Sequence, residues 1–116
     1  MTEQTYSGSC QCQAVQFEAE LDLDKTVVCN CSRCQRLGWV MAFAPRAKAN
    51  IAQGATTEYL FNKGRIRHQF CPTCGIEPFA FAQGADGTEM IAFNVNCLDG
   101  VDPRALTPRQ VDGRSF

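Results

Sequence analysis

Cys29-Asn30-Cys31-Ser32-Arg33-Cys34 places three thiols within six residues. Cysteines this close cannot pair with one another as disulfides without severe strain, so the run points to a shared metal ion. Ser32, followed three residues later by Gln35, forms a capping box that predicts a helix beginning at Arg33, and Gly38 supplies its stop. Cys34 then lies in the first turn, where free backbone N–H groups and the positive end of the helix dipole favour the thiolate that binds metal. Three ligands leave one tetrahedral position open, the feature that separates a catalytic zinc from a structural one.

Further along, Cys71-Pro72-Thr73-Cys74-Gly75 has the form of a zinc knuckle. Proline presets the turn after the first ligand, and glycine after the second accepts a positive φ and lets backbone amides point at sulfur. This motif brings only two ligands. Cys10 and Cys12, which share a parity in a strand and so face one side, are the available pair, and a four-cysteine structural site from Cys10, Cys12, Cys71 and Cys74 follows. Cys97 is the remaining thiol. It is either the fourth ligand of the three-cysteine cluster or a small buried hydrophobe at the end of a strand.

Around these clusters the pattern is mostly β. Val15, Phe17 and Ala19 alternate with Gln16, Glu18 and Glu20 in a half-buried strand that runs on from Tyr6, and Thr26 to Val28 is a short strand delivering the cluster. Trp39 to Ala44 is apolar throughout and reads as a strand buried on both faces or lining a pocket. Pro45 to Gly54 reads as an exposed edge or loop. Thr57 to Phe61 and Ile66 to Phe70 form two strands around the turn Asn62-Lys63-Gly64-Arg65, and Pro78 to Gln83 and Glu89 to Val95 form a hairpin around Gly84 to Gly87. After the turn from Leu98 to Pro103 the chain reads as an irregular tail to Phe116.

The chain of 116 residues predicts a single domain, 1–116, whose modest core gains from metal staples. Its 11 basic and 12 acidic side chains give a formal charge of −1, which two zinc ions held by seven thiolates move to about −4, so nucleic acid is not an expected partner. No basic segment leads into an apolar run at the N-terminus, and no apolar stretch is long enough to span a membrane. The expected location is cytoplasmic, where eight cysteines are more readily metal ligands than disulfides.

Cys10-x-Cys12 before Val15-x-Phe17, then Cys29-x-Cys31-Ser32-x-Cys34, Phe70-Cys71-x-x-Cys74-Gly75 and Asn94-Val95-x-Cys97-Leu98-Asp99-Gly100-Val101-Asp102 together resemble the glutathione-dependent formaldehyde-activating enzyme family, which includes centromere-protein-V-like members. The resemblance implies an Mss4-like β-tent of small antiparallel sheets stapled by zinc, with one short helix after the three-cysteine cluster. It also implies two zinc ions, a structural one on Cys10, Cys12, Cys71 and Cys74 and a catalytic one on Cys29, Cys31 and Cys34. The family's named activity adds glutathione to formaldehyde and is classed with carbon–sulfur lyases. The family usually has His where this chain has Asn30, which cannot carry a proton, and Gly where it has Gln13.

Chemistry agrees with a thiol at the open position. A zinc bearing three thiolates is a poor activator of water and suits a soft fourth donor, so a substrate thiol such as glutathione would lose its proton there and attack an aldehyde carbonyl. Arg33 and Arg36, with Arg46 and Lys48, are candidates to hold the carboxylates of glutathione, or are solvated surface charges. Trp39 is either a wall of the thiol pocket or a core residue. His68, the only histidine, alternates with Ile66 and Phe70 in a strand. The partners expected are a small thiol and a small aldehyde. A zinc-stabilised binding module without catalysis, and a redox or metal-buffering protein using the three-cysteine cluster, are the competing readings.

Overall fold

The computed structural model describes residues 3–115. Ten strands form two sheets around one short α-helix: β1 (Gln4–Ser9), β2 (Gln16–Leu21), β3 (Val27–Cys29), α1 (Ser32–Leu37), β4 (Met41–Pro45), β5 (Ala49–Gln53), β6 (Thr57–Tyr59), β7 (Arg67–Phe70), β8 (Phe79–Gln83), β9 (Glu89–Asn94) and β10 (Arg109–Val111). The smaller sheet has the order β1-β2-β5 and the larger β10-β3-β4-β9-β8-β7-β6. Every pairing is antiparallel except β10 on β3, which is parallel. The fold is mostly β, as the sequence predicts. Among the described residues no helix is long and apolar enough to cross a membrane.

Alternation in β2 works as expected. Phe17, Ala19 and Leu21 are buried while Gln16, Glu18 and Glu20 face solvent, and the buried set packs on Ala42, Ala44, Phe79, Ile91 and Phe93 of the larger sheet. Phe17 stacks on Phe93 at 4.7 Å between centroids and meets Phe79 edge-on at 6.0 Å. Pairs of this geometry add to what area burial already contributes.

Three segments differ from the sequence expectation. The run from Tyr6 to Glu20 is a hairpin of β1 and β2, and Cys10 and Cys12 lie in its turn, closed by Gln13 at φ 67°. Their shared direction thus comes from the turn rather than from strand parity. Ala49 to Gln53 is strand rather than loop, because the edge of β2 offers it a ladder that its own small, polar sequence does not announce. The expected tail contributes β10, which needs β3 beside it to become a strand at all.

Candidate metal centres and the cavity between them

The four-cysteine group forms where the β1–β2 turn meets the β7–β8 connection. Cys10, Cys12, Cys71 and Cys74 bring their Sγ atoms within 4.8 Å of one another. Four sulfurs at about 2.3 Å from a tetrahedral zinc are separated by about 3.8 Å, and the Cys10–Cys12 and Cys12–Cys71 separations are both 3.7 Å. Backbone N–H groups point at the sulfurs, from Val15 to Cys10 at 3.3 Å and from Thr73 and Cys74 to Cys71 at 3.4 and 3.5 Å. Gly75 takes φ 80°, the conformation the knuckle requires. The amides of Ile76 and Cys12 hold the Cys74 thiol down at about 6. This donor set fits a tetrahedral ion.

The three-cysteine group forms at the start of α1. Cys29, Cys31 and Cys34 also bring their Sγ atoms within 4.8 Å, and among the described residues no other His, Cys, Asp or Glu joins them. The N-cap of α1 is Cys31, not Ser32: the Cys34 N–H donates to Cys31 Sγ at 3.3 Å. A sulfur therefore takes the place of the expected hydroxyl, and Gln35 is left to accept from Arg114 at 2.9 Å. Burial pushes the Cys31 thiol up, but the amides of Cys34 and Arg33 outweigh it and hold the group below its ordinary value. Burial drives Cys34 well above its own. A cation among the three sulfurs would remove that burial penalty.

Cys97 joins neither group. It sits half-buried in a 3-10 turn after β9, packed on the main core and nearest in charge to Cys10 and Cys74, and burial pushes its thiol up to about 12.

A cavity of about 500 Å³ opens beside the three-cysteine group. The register explains it. Phe43, Ala92, Ala80 and His68 form one row across β4, β9, β8 and β7, and Val27, Met41, Cys29, Arg109 and Val111 share that face through the pairing of β10, β3 and β4. The opposite face carries the Phe-rich core. Alanines between Phe43 and His68 leave the hollow, which Trp39, Phe61 and Ile66 wall and Lys63, Arg65 and Arg109 supply with positive charge. Among the described residues, the buried indole N–H of Trp39 has no hydrogen-bond partner.

Trp39 thus lines the cavity, whereas Arg33 and Arg36 are not among its lining residues. Arg33 donates through Nε and Nη2 to Glu77 Oε1 at 3.0 and 2.7 Å and lies 4.7 Å over Tyr59, and Arg36 donates to the Ser32 carbonyl. Arg46 and Lys48 pair with Glu89 and Glu3 at the surface. The cations that do reach the cavity lie in the β6–β7 turn and on β10. The first carries a basic signal in sequence, but only the fold brings it to the site.

Residues 112–115 cross the three-cysteine group as a strap. Asn30 Nδ2 donates to Asp112 Oδ1 at 3.0 Å and its Oδ1 accepts from the Arg114 N–H at 3.1 Å. Ser115 Oγ and Asn30 together hold the Asp112 carboxyl below its usual range. Gly113 lies so close that an added Cβ would overlap Cys29 Sγ and come within 3.2 Å of Cys31 Cβ. Gly113→Ala is expected to lift the strap and weaken metal binding by the cluster about tenfold, as loss of outer contacts does at other metal sites. Competition with a chromophoric chelator checks this, and an unchanged second dissociation constant would contradict it.

Comparison with known proteins follows the same outline. A family model described as glutathione-dependent formaldehyde-activating enzyme matches residues 5–112. An uncharacterized lyase of Schizosaccharomyces pombe is 26% identical over 110 residues, covering 81% of this chain and 79% of that protein. A crystal structure of a Rhodobacter sphaeroides protein superposes with a TM-score of 0.79 at 35% identity, covering 90% of this chain and 97% of that one.

Proposed function

This chain belongs to the glutathione-dependent formaldehyde-activating enzyme family, and from that footing we propose that it is a lyase-type enzyme of carbon–sulfur chemistry. It takes a thiol of the glutathione kind and adds it to, or releases it from, a small aldehyde such as formaldehyde. The observation that carries the reading is the three-sulfur group, with no fourth protein ligand among the described residues, set at the wall of a 500 Å³ cavity. Cys29, Cys31 and Cys34 would hold a zinc ion there, and it would supply a Lewis acid suited to a sulfur donor. A second zinc on Cys10, Cys12, Cys71 and Cys74 has a structural task.

The chain's own residues account for the rest. Lys63, Arg65 and Arg109 stand where they can pair with the carboxylates of glutathione. Trp39, Met41 and Val111 give the cavity an apolar wall, against which polar contacts with a substrate gain strength. Asn30 has both ends of its amide occupied by the strap, so it positions that segment and carries no proton. The eight free cysteines suit a reducing compartment, and the cytoplasm is the expected location.

The alternative, a zinc-stabilised binding module with no catalysis, draws on the same observation that no acid or base stands at Asn30. Titration of zinc-loaded protein with glutathione, in wild type and Cys34→Ser, separates the two. The enzyme reading expects wild-type binding and at least a tenfold loss in the variant. Equal affinity in both would remove the three-cysteine site from the reaction.

A further inference from the structure

His68 and Glu77 are buried polar residues that neither metal group uses. His68 is 2% exposed and Glu77 1%. The two meet at 2.6 Å, from His68 Nδ1 to Glu77 Oε2, while the other carboxylate oxygen takes both contacts from Arg33. A carboxylate paired with a guanidinium accepts at both oxygens and has no proton to give. The hydrogen in the His68–Glu77 contact therefore sits on Nδ1, which leaves Nε2 as the ring nitrogen free to exchange a proton with a ligand. His68 lines the cavity, so the ring edge not held by Glu77 is the one available to a ligand. The ring is fixed in place, stacked on Phe61 at 5.5 Å between centroids and 6.3 Å from Trp39, which packs against Cys34.

An oriented imidazole lining a cavity, with a carboxylate behind it, is built to carry a proton. Thiol addition to an aldehyde needs one. From this geometry we infer that His68 is a catalytic residue of the cavity, an inference that rests on the thiol–aldehyde reading above. His68 Nε2 takes the proton of the substrate S–H as the thiol binds, and the sulfur then forms its bond to the carbonyl carbon. The π pair of the carbonyl moves to oxygen, and that oxygen takes the proton back from Nε2. His68 ends as it began, with one S–H bond and one C=O π bond exchanged for one S–C and one O–H bond. Release of the aldehyde is the same sequence reversed. The charged groups around the ring are consistent with this role: Glu77 lies behind it, Arg33 beyond Glu77, and Lys63, Arg65 and Arg109 line the same cavity.

The test counts protons rather than turnovers. Zinc-loaded wild type and His68→Asn are titrated with glutathione at neutral pH, by calorimetry in two buffers of different ionisation enthalpy. Asparagine keeps an N–H donor toward Glu77 and lacks the ring's second nitrogen. Wild type is expected to keep the thiol proton on His68 and release almost none, and the variant to release about one per glutathione bound. Exchange of formaldehyde between its free form and its glutathione adduct, read by NMR, is expected to lose roughly a hundredfold of its protein-dependent rate. Equal proton counts in the two proteins would overturn the role of His68 while leaving the thiol site intact. No glutathione binding by wild type would overturn the thiol reading, and this inference with it. If His68→Asn does not fold, His68→Gln serves, since its longer amide reaches toward the cavity but takes no proton at neutral pH. An unchanged proton count and rate in that variant would overturn the inference equally.

Discussion

Cys71→Ala is expected to abolish cooperative folding at 25 °C. Cys71 is fully buried, its sulfur receives two backbone N–H groups, and it lies 3.7 Å from that of Cys12 on the far side of the chain. Through it the β1–β2 hairpin is tied to the β7–β8 connection. Zinc binding to small structural sites is worth about 10–16 kcal/mol at neutral pH, against a total stability of about 5–15 kcal/mol for a whole domain. The core of Phe17, Phe79 and Phe93 cannot make up a loss of that order. Circular dichroism through a thermal scan, with zinc measured per chain, checks it. A cooperative melt within about ten degrees of wild type would show that the staple is dispensable; per-residue melting values make that shift only a kcal/mol or two.

Arg33→Ala is expected to destabilise the fold by roughly 3 kcal/mol without removing either metal. The Glu77 side chain has no exposure and that of Arg33 only 24%. Removing one partner of a buried pair strands the other charge away from water, which costs more than the pair was worth. Arg33→Lys should recover part of the loss, because a single ammonium cannot reproduce the paired Nε and Nη2 contacts on one oxygen. Urea denaturation measures the change. The sequence suggests a different role for Arg33, as a clamp on the substrate's carboxylates. If Arg33→Ala melts like wild type but binds glutathione at least tenfold more weakly, that role is correct and the structural one is not.

These two residues show what could be read from sequence. The cysteine clusters are legible because metal ligation leaves a local signature: each of Cys10-x-Cys12, Cys29-x-Cys31-x-x-Cys34 and Cys71-x-x-Cys74 lies within six residues of sequence. The strand alternation of β2 and the hairpin of β8 and β9 were legible for the same reason. Arg33 stands beside Cys34 in sequence, which suggests a clamp on the substrate, but its guanidinium is committed to Glu77, 44 residues away. No local pattern carries that distance. The cavity was equally hidden, since its floor depends on the register of several strands and on Ala80 and Ala92 lying side by side. β5 and β10 became strands through their neighbours, not through their own composition. Ser32 and Gln35 had the spacing of a capping box, yet the sulfur of Cys31 lay one residue earlier and took the place.

A denatured chain still holds Cys29, Cys31 and Cys34 within six residues of one another, so it keeps much of its capacity to chelate. Cys12 and Cys71 are 59 residues apart, and unfolding scatters the four-cysteine group. A metal stabilises a fold only by binding it better than it binds the unfolded form. An ion at the four-cysteine group would therefore contribute nearly its whole affinity to stability, whereas an ion beside the cavity would contribute only the difference between two affinities. Zinc in excess would occupy the local cluster before the chain has folded, so the sulfurs beside the cavity are also where surplus metal would slow refolding.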